Sequence, residues 1–230
     1  MASEPPVRLI GCFGSPFVHR AEVALRLKGV PYELILEDMA NKSELLLKHN
    51  PVHKLVPVLL HGDRAVAESL LIVEHVDEAF AGPPLLPADP LDRATARFWA
   101  QFIDQKVLGA AVDVVLDGGR GAEAAAVTEA KGNLALLEAQ LQGRRFFGGD
   151  AVGLVDVAAS GLAYWLGVFQ EVNGVDLVTG EEFPAFRRRA ERYVNDETVR
   201  QCLPGRDALV AASSARKEMH LMRAQAGLGK

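Results

Sequence analysis

Residues 7–17 read Val-Arg-Leu-Ile-Gly-Cys-Phe-Gly-Ser-Pro-Phe, and this stretch decides the fold of the first part of the chain. Its first five residues are an apolar run fit for a short buried strand. Ser15 followed by Pro16 is a helix start, with serine at the N-cap and proline at the first helical position. Apolar residues at helical spacing then predict a helix over 17–28, which Gly29 ends. The stretch therefore predicts a strand that turns into a helix at Ser15.

The residues up to about 82 continue this pattern of short strands and helices. Strands are predicted at 32–36, 56–60 and 65–67, and helices at 41–49 and from Ser69 onward. The order is βαβ, then a helix, then ββα, which indicates an α/β domain built on one small sheet.

A proline-rich stretch separates this domain from the rest of the chain, with four prolines between residues 81 and 90. It can form neither a helix nor a central strand, so it is interpreted as an interdomain linker. The sequence beyond it is almost entirely helical in pattern, with helices predicted at 91–118, 122–142, 155–170, 182–194 and 206–225. We therefore predict an α/β domain at 1–82 and an all-helical domain at 91–230.

The bulk composition excludes several function classes. The net charge is −5, whereas an electrostatic nucleic-acid binder needs a basic stripe. The basic runs Arg144-Arg145 and Arg187-Arg188-Arg189 are short and are interpreted as solvated helix faces. No apolar run approaches the roughly 18 residues of a membrane span. We therefore expect neither a nucleic acid nor a membrane as partner.

The number of cysteines and the N-terminal residues indicate the cellular compartment. Cys12 and Cys202 are too few for a disulfide scaffold. Residues 1–6 lack the basic and apolar regions of a signal peptide, so we expect a cytoplasmic protein with both thiols reduced.

The histidines do not form a metal-binding pattern. His49 and His53 are four residues apart, but the proline between them prevents one helix face from presenting both, so we expect no metal site.

Three features of the α/β domain are suited to a thiol-bearing ligand. A helix N-terminus carries unpaired N–H groups and a partial positive charge, so the start at Ser15 would stabilise a thiolate to which the hydroxyl can also donate. Val56-Pro57 stands directly before a strand, where a cis bond would turn the backbone of Val56 toward a peptide-like ligand. Glu68-Ser69 lies at a strand-to-helix junction suited to a carboxylate and an amine.

Each feature also has a plain structural interpretation. Ser15 and Ser69 can be ordinary helix-start residues, and Pro57 can be a trans proline at the beginning of a strand. Lys42 and Lys54, loop residues suited to a second carboxylate, are equally suited to solvent. No single feature decides between the two interpretations, but their ordered combination favours one ligand that contacts all of them.

This combination resembles the cytosolic glutathione transferases, and most closely the plant tau class. The likeness covers nearly the whole chain and is carried by Ser15-Pro16-Phe17, Asn41-Lys42-Ser43, Asn50-Pro51-Val52-His53-Lys54, Val56-Pro57-Val58-Leu59, Glu68-Ser69 and Ala94-Thr95-Ala96-Arg97-Phe98-Trp99. The resemblance implies an α/β thioredoxin-like N-terminal domain that binds glutathione and an all-α helical-bundle C-terminal domain. It also implies a homodimeric detoxification and stress-response enzyme that joins glutathione to small hydrophobic electrophiles.

The resemblance further implies a role for each matching residue. Ser15 would stabilise the glutathione thiolate through its hydroxyl, while Lys42 and Lys54 would face the glycyl carboxylate. The backbone at Val56–Pro57, with a cis bond, would pair with the cysteinyl part, and Glu68–Ser69 would hold the γ-glutamyl end. The electrophile would lie in an apolar pocket lined by Phe17, Phe98, Phe102, Val112, Trp165 and Phe169.

The sequence departs from the family pattern at Gly153 and at Cys12. Gly153 begins the helix Gly153-Leu154-Val155-Asp156 where the family more often has Ser or Thr, and since glycine is a tolerable N-cap we expect a helix of normal shape. Cys12, three residues before Ser15, stands where relatives carry a bulkier and unreactive residue.

Cys12 supports an alternative function, because Cys12-x-x-Ser15 formally matches a monothiol glutaredoxin pattern. A thiol–disulfide or deglutathionylating enzyme would act through that thiolate. Its reactive cysteine must stand at the helix N-terminus, however, and that place holds Ser15. A third hypothesis is a carrier of hydrophobic ligands that uses glutathione as a clamp and has no turnover.

Overall fold

The structure is a computed structural model that describes residues 6–116, 124–141 and 143–225. Its first seven elements are β1 (Val7–Gly11), α1 (Pro16–Leu27), β2 (Glu33–Leu36), α2 (Glu44–His49), β3 (Val58–His61), β4 (Arg64–Ala67) and α3 (Ser69–Ala79). The predicted order of strands and helices is therefore confirmed.

The four strands form one mixed sheet in the order β2–β1–β3–β4. β1 runs parallel to β2 and antiparallel to β3, and β3 runs antiparallel to β4. Gly11 lies opposite Leu36, Ile10 opposite Val58, and Val58 opposite Ala67. The ends of β1, β2 and β4 and the beginning of β3 therefore meet at one edge of the sheet, which we call the ligand edge.

The two faces of the sheet are covered by different helices, because successive side chains of a strand point to opposite sides. Leu9 and Leu59 belong to the main core with residues of α1 and α3. Ile10 and Val58 pack with Leu46 of α2 on the other face. The ligand edge thus lies on a sheet that is held from both sides.

The second part of the chain is helical, as predicted. Its elements are α4 (Pro90–Phe102), a π-helical segment (Ile103–Leu108), α5 (Gly109–Leu116), α6 (Ala124–Gln140), α7 (Leu154–Ala158), a second π-helical segment (Gly161–Trp165), α8 (Leu166–Asn173), α9 (Pro184–Asn195), α10 (Glu197–Arg200) and α11 (Arg206–Gln225). The short α10 has no counterpart among the predicted helices. The ends predicted at 117–118, 122–123 and 142 lie outside the described residues.

Two of the predicted helices contain π-helical turns. The helix predicted at 91–118 continues without a break from Pro90 to Leu116, but it is π-helical over Ile103–Leu108. The helix predicted at 155–170 begins as expected at the N-cap Gly153, whose N–H donates to the Asp156 carboxylate at 3.2 Å. It breaks after five residues and resumes through the second π-helical segment.

The linker is packed between the two parts of the molecule. Asp77 accepts hydrogen bonds from the N–H groups of Leu85 and Leu86 at 2.8 and 3.1 Å, and pairs with Lys28 at 2.7 Å. Both leucines are buried, and the Leu85 carbonyl accepts from the N–H of Leu154 at 2.8 Å. The proline-rich stretch is therefore an anchored connection, and not a free spacer.

Candidate active site

Ser15 lies half-buried at the N-cap of α1, as the Ser-Pro pair predicts. Its Oγ accepts a hydrogen bond from the N–H of Val18 at 3.3 Å. No acidic side chain lies in the first turn of α1, so the partial positive charge of this helix start is not neutralised from within the helix. The position is suited to an anion such as a thiolate.

The loop before Ser15 is supported from the helical part. Gly14 has φ +70°, and a Cβ there would lie 3.0 Å from Leu209. The carbonyl of Gly14 accepts from the indole N–H of Trp165 at 2.7 Å. Trp165 is only 1% exposed, so the prediction that it lines an open electrophile pocket is wrong. Its ring lies beneath the active-site loop and fixes that loop in place.

His19 forms a second support, one turn along α1. This imidazole is buried, with Nδ1 at 3.2 Å from the carbonyl of Cys202 and Nε2 at 3.1 Å from the hydroxyl of Tyr193. Since a carbonyl can only accept, Nδ1 carries the proton and Nε2 accepts from the tyrosine. Burial, the dominant cause, lowers the pKa of His19 to about 4.

The loop that carries Lys42 is tied to the end of β1. The N–H of Glu37 donates to the carbonyl of Gly11 at 2.7 Å. The Glu37 carboxylate accepts from the N–H and the hydroxyl of Ser43 at 2.8 and 2.6 Å. Lys42 is therefore held at the ligand edge.

The loop that carries Lys54 is organised by Asn50, which is buried. The side chain of Asn50 donates to the carbonyl of Leu55 at 3.0 Å and accepts from the N–H of His53 at 3.1 Å. Lys54 itself has φ +56°. The sequence predicted no role for Asn50, although an Asn-Pro pair at a helix end is a recognisable turn signal.

The Val56–Pro57 peptide bond is cis, as the family resemblance implies. It lies at the ligand edge directly before β3, while Glu68 follows directly after the neighbouring strand β4. Glu68 has φ +74° and an exposed side chain whose Oε1 is 3.7 Å from Nε2 of His53. Ser69 begins α3 and is buried.

Arg20 connects Ser69 to the helical part and was missed by the sequence prediction. It is fully buried, and one amino group donates to Ser69 Oγ at 3.1 Å and to Asp104 Oδ2 at 3.2 Å. The other donates to Asp104 Oδ1 and to the carbonyl of Ala158, both at 2.6 Å. A charged residue on the apolar face of α1 was the only local signal.

The residues predicted for the electrophile pocket differ in exposure. Phe17 is 40% exposed and lies 5.0 Å from the Arg20 guanidinium. Phe98 is exposed and its ring stacks on that of Phe102 with centroids 6.4 Å apart. Val112 and Phe169 are half-buried and pack against the main core.

Phe13 is a further aromatic residue that the sequence prediction left out of the pocket. It lies in the loop before Ser15 and is 55% exposed. Its position next to the helix start was the available signal.

Cys12 is half-buried at the end of β1. Burial, the largest effect, raises the pKa of its thiol above the ordinary value. The protonated thiol is therefore favoured at this position.

A thioredoxin-like sheet domain with this ligand edge, joined to a helical domain, defines the class of glutathione-binding transferases by its fold. The sequence profiles of the glutathione S-transferase N-terminal and C-terminal domains match residues 9–84 and 102–197. The chain belongs to the glutathione S-transferase family.

Individual relatives place it within that family. A probable glutathione S-transferase of Glycine max is 46% identical over 217 residues, which cover 94% of this chain and 96% of the relative. Glutathione S-transferase U8 of Arabidopsis thaliana shows the same identity and coverage, and glutathione transferase GST 23 of Zea mays is 47% identical over 95% of this chain and 99% of its own.

Solved structures of glutathione transferases are also similar to this chain. The tau-class enzyme of mango, Mangifera indica, is 38% identical with a TM-score of 0.82, covering 91% of this chain and 98% of its own. A rice glutathione transferase in complex with glutathione is 34% identical with a TM-score of 0.82, covering 95% of this chain and 99% of its own. The chain is thus a tau-class glutathione S-transferase, with the thioredoxin-like and helical domains that the sequence predicted.

Two further findings concern partners. No helix in the described part of the chain combines the length and the hydrophobicity that a membrane span needs. Within residues 6–116, 124–141 and 143–225, no three His, Cys, Asp or Glu side chains come together as a metal site.

Proposed function

We propose that this enzyme conjugates glutathione to small hydrophobic electrophiles and that the Ser15 hydroxyl stabilises the reacting thiolate. The thiol proton passes to solvent, and a sulfur lone pair forms the carbon–sulfur bond. In a substitution the leaving group departs with its bonding electron pair; in an addition to an activated double bond the π electrons shift toward the electron-withdrawing group, and the resulting anion takes a proton from solvent. No covalent enzyme intermediate is formed. Holding thiolate and electrophile together supplies much of the rate.

The observation that carries this proposal is the position of Ser15. Its hydroxyl stands at a helix start without a neutralising carboxylate, next to the ligand edge where the loops of Lys42, Lys54 and Glu68 meet. The hydroxyl hydrogen is free to point to a bound sulfur, because Oγ uses only its acceptor capacity toward Val18.

The remaining proposed contacts to glutathione come from residues at the ligand edge. Lys42 and Lys54 face the glycyl carboxylate, and the backbone at Val56–Pro57 pairs with the cysteinyl part. Glu68–Ser69 holds the γ-glutamyl end. The electrophile lies against Phe13, Phe17, Phe98, Phe102, Val112 and Phe169, and the domain boundaries remain those proposed above, 1–82 and 91–230.

Ser15→Ala is expected to lower kcat for an aryl halide on the order of a hundredfold, the usual effect of removing one donor to a developing or bound anion. Glutathione affinity should change little, because the other contacts remain. Ser15→Thr, which restores the hydroxyl, should recover part of the rate. The measurement is steady-state conjugation at saturating glutathione, together with glutathione binding by calorimetry. Unchanged turnover in Ser15→Ala would show that another group stabilises the sulfur.

The alternative through Cys12 is less well supported. Thiol–disulfide exchange needs a thiolate, whereas burial raises the pKa of the Cys12 thiol. Cys12→Ser should therefore leave conjugation unchanged. A carrier without turnover would bind the same ligands but give no product with an aryl halide, which the conjugation assay separates from the proposed function.

We also propose that the enzyme is a homodimer that uses the exposed surface of α3. Leu71 on this helix is 57% exposed, one turn from Glu74, which pairs with Arg97 of α4. Because single exposed apolar side chains are common on monomeric proteins, the proposal rests on membership of a family that is typically dimeric, and Leu71 marks the face of α3 that the test addresses.

Leu71→Lys is expected to shift the protein toward monomer at low micromolar concentration, because a lysine ammonium is costly to bury. Leu136→Lys is the matched control, since Leu136 on α6 is similarly exposed at 51%. The measurement is sedimentation velocity over a concentration series. A wild-type monomer, or a dimer that Leu71→Lys leaves intact, would contradict this interface.

A further inference from the structure

An open polar cavity of about 590 Å³ lies at the surface of the helical domain, and none of the residues described above for the active site lines it. Arg144 and Arg145 line it from the loop after α6, and Arg188 and Arg192 from α9. Asp150 is the one carboxylate among the lining residues that the structure describes. Four arginines against one carboxylate give this cavity a strong positive charge on a protein of net charge −5.

These four guanidinium groups have little to neutralise them. Arg144 donates to the carbonyl of Phe147 at 3.3 Å and Arg192 to that of Arg145 at 3.5 Å. None of the ion pairs in the described part of the chain includes any of the four. Arg188 and Arg192 are also one helical turn apart, where like charges repel. An anion that joins them would relieve this repulsion.

A carboxylate of α6 that does not line the cavity is engaged elsewhere. Glu138 of α6 accepts from the N–H groups of Ala185 and Phe186, both at 2.7 Å. It therefore caps the beginning of α9 and does not pair with the cavity arginines.

The two walls of the cavity are fixed to each other. In the loop, Phe146 and Gly149 exchange backbone hydrogen bonds at 2.8 and 3.2 Å. The N–H of Phe147 donates to Asp156 at 3.2 Å, and Arg189 of α9 pairs with the same buried carboxylate at 3.1 Å. The four arginines are exposed, but the backbone segments that carry them are thus held in fixed positions relative to each other.

We propose that this cavity binds a small phosphate-bearing anion. Guanidinium forks match phosphate oxygens with paired, charge-assisted hydrogen bonds. The volume lies in the range of small-molecule sites, and the charged lining suits a polyanion better than an apolar ligand. The fold brings the first basic run, Arg144-Arg145, together with Arg188 of the second run and with Arg192. Arg189 of the second run is buried, so the expectation of a solvated helix face is wrong for that residue.

The test is isothermal titration of the full-length enzyme with pyrophosphate at constant ionic strength in 150 mM NaCl. We expect saturable binding with one site per chain. Arg188→Gln and Arg192→Gln should each weaken it about tenfold or more, since each removes charge-assisted hydrogen bonds. Arg187→Gln is the control, because Arg187 is exposed on the same helix but does not line the cavity. Arg189 is left unchanged because it is buried with Asp156.

Two further arms define the ligand chemistry. Inorganic phosphate should compete with pyrophosphate, whereas chloride at equal ionic strength should not. Retained aryl-halide conjugation in all three variants shows that they are folded and separates this site from the active site. Absence of saturable binding, or equal weakening by Arg187→Gln, overturns the proposal.

Discussion

Arg20 shows how a single buried charge can position a binding residue. A buried guanidinium is costly unless it is paired and hydrogen-bonded. Asp104 supplies the charge through two hydrogen bonds, and Ser69 Oγ and the Ala158 carbonyl accept from the same guanidinium. The hydroxyl of Ser69 therefore has its direction set from α1, and the hydrogen of that hydroxyl remains for a ligand carboxylate.

Asp104→Asn removes the charge that neutralises Arg20. The expected cost is about 1–3 kcal/mol in the free energy of unfolding, below that of a fully buried pair because the Asp104 side chain is 31% exposed. Glutathione should also bind more weakly, with kcat at saturation largely retained, since Arg20 acts through Ser69. The measurements are urea denaturation and glutathione titration.

Asp113→Asn, which changes an exposed carboxylate on α5, is the matched control for Asp104→Asn. Loss of stability without loss of glutathione affinity would show that the pair is structural only.

Individual site residues could be predicted from the sequence to very different degrees. The helix start at Ser15 and the strand start at Pro57 are recognisable from local signals, a serine before proline and a proline before a strand, whereas their roles at a ligand site came only from the ordered combination. Arg20 has partners 49, 84 and 138 residues away, so no local pattern shows its role. Trp165 was assigned to a pocket through the family resemblance, but its burial depends on packing against residues of α1, α8 and α11, which the sequence does not display.

At the scale of elements, the contact between β1 and α1 depends on Gly11. A Cβ at this position would lie 2.6 Å from Cγ1 of Val18 and 3.2 Å from Leu34. Val18 cannot turn away easily, because a β-branched side chain in a helix is restricted to one rotamer. Gly11 therefore lets the first turn of α1, with Ser15, lie close to the sheet.

Gly11→Ala is expected to lower the free energy of unfolding by about 1–3 kcal/mol through overpacking, and conjugation should fall as the Ser15 loop moves. Val18→Ala in the same chain should relieve part of the cost. Gly132→Ala on α6 is the control, because a Cβ there meets nothing within 4 Å and alanine should stabilise a helix by about 0.5–1 kcal/mol. Equal effects of the two glycine substitutions, measured by thermal and urea unfolding, would contradict the close contact.

The elements of the sheet were predictable because strand alternation and turn residues are local signals. The two π-helical segments were not, since one inserted residue leaves the helical composition unchanged. These segments nevertheless carry Asp104 and Trp165, which contact Arg20 and the carbonyl of Gly14. The π-helical turns thus aim two helical-domain side chains at the thioredoxin-like domain.

At the scale of the whole molecule, the two domains are held together through the same helix that carries Ser15. His19 is central to this contact, because it reaches from α1 to the carbonyl of Cys202 and the hydroxyl of Tyr193. Both bonds use the neutral ring, and the pKa of His19 is lowered to about 4 from the ordinary 6.5. Between these values the unfolded chain binds a proton that the folded protein does not.

The free energy of unfolding should therefore rise with pH between about 4 and 6.5, and the contribution of His19 should be complete above pH 6.5 and lost as the pH falls toward 4. The pKa difference of about 2.5 units corresponds to about 3 kcal/mol. His19→Asn keeps a donor toward Cys202 but cannot titrate, so it should lower stability at pH 7 and flatten this slope. The measurement is urea unfolding from pH 4.5 to 7.5 at one protein concentration.

His75→Gln is the control for His19→Asn. Burial lowers the pKa of His75 in the same direction but at a more exposed position, so this variant should flatten the slope less. A slope that His19→Asn leaves unchanged would mean that other groups cause the acid sensitivity of the domain contact.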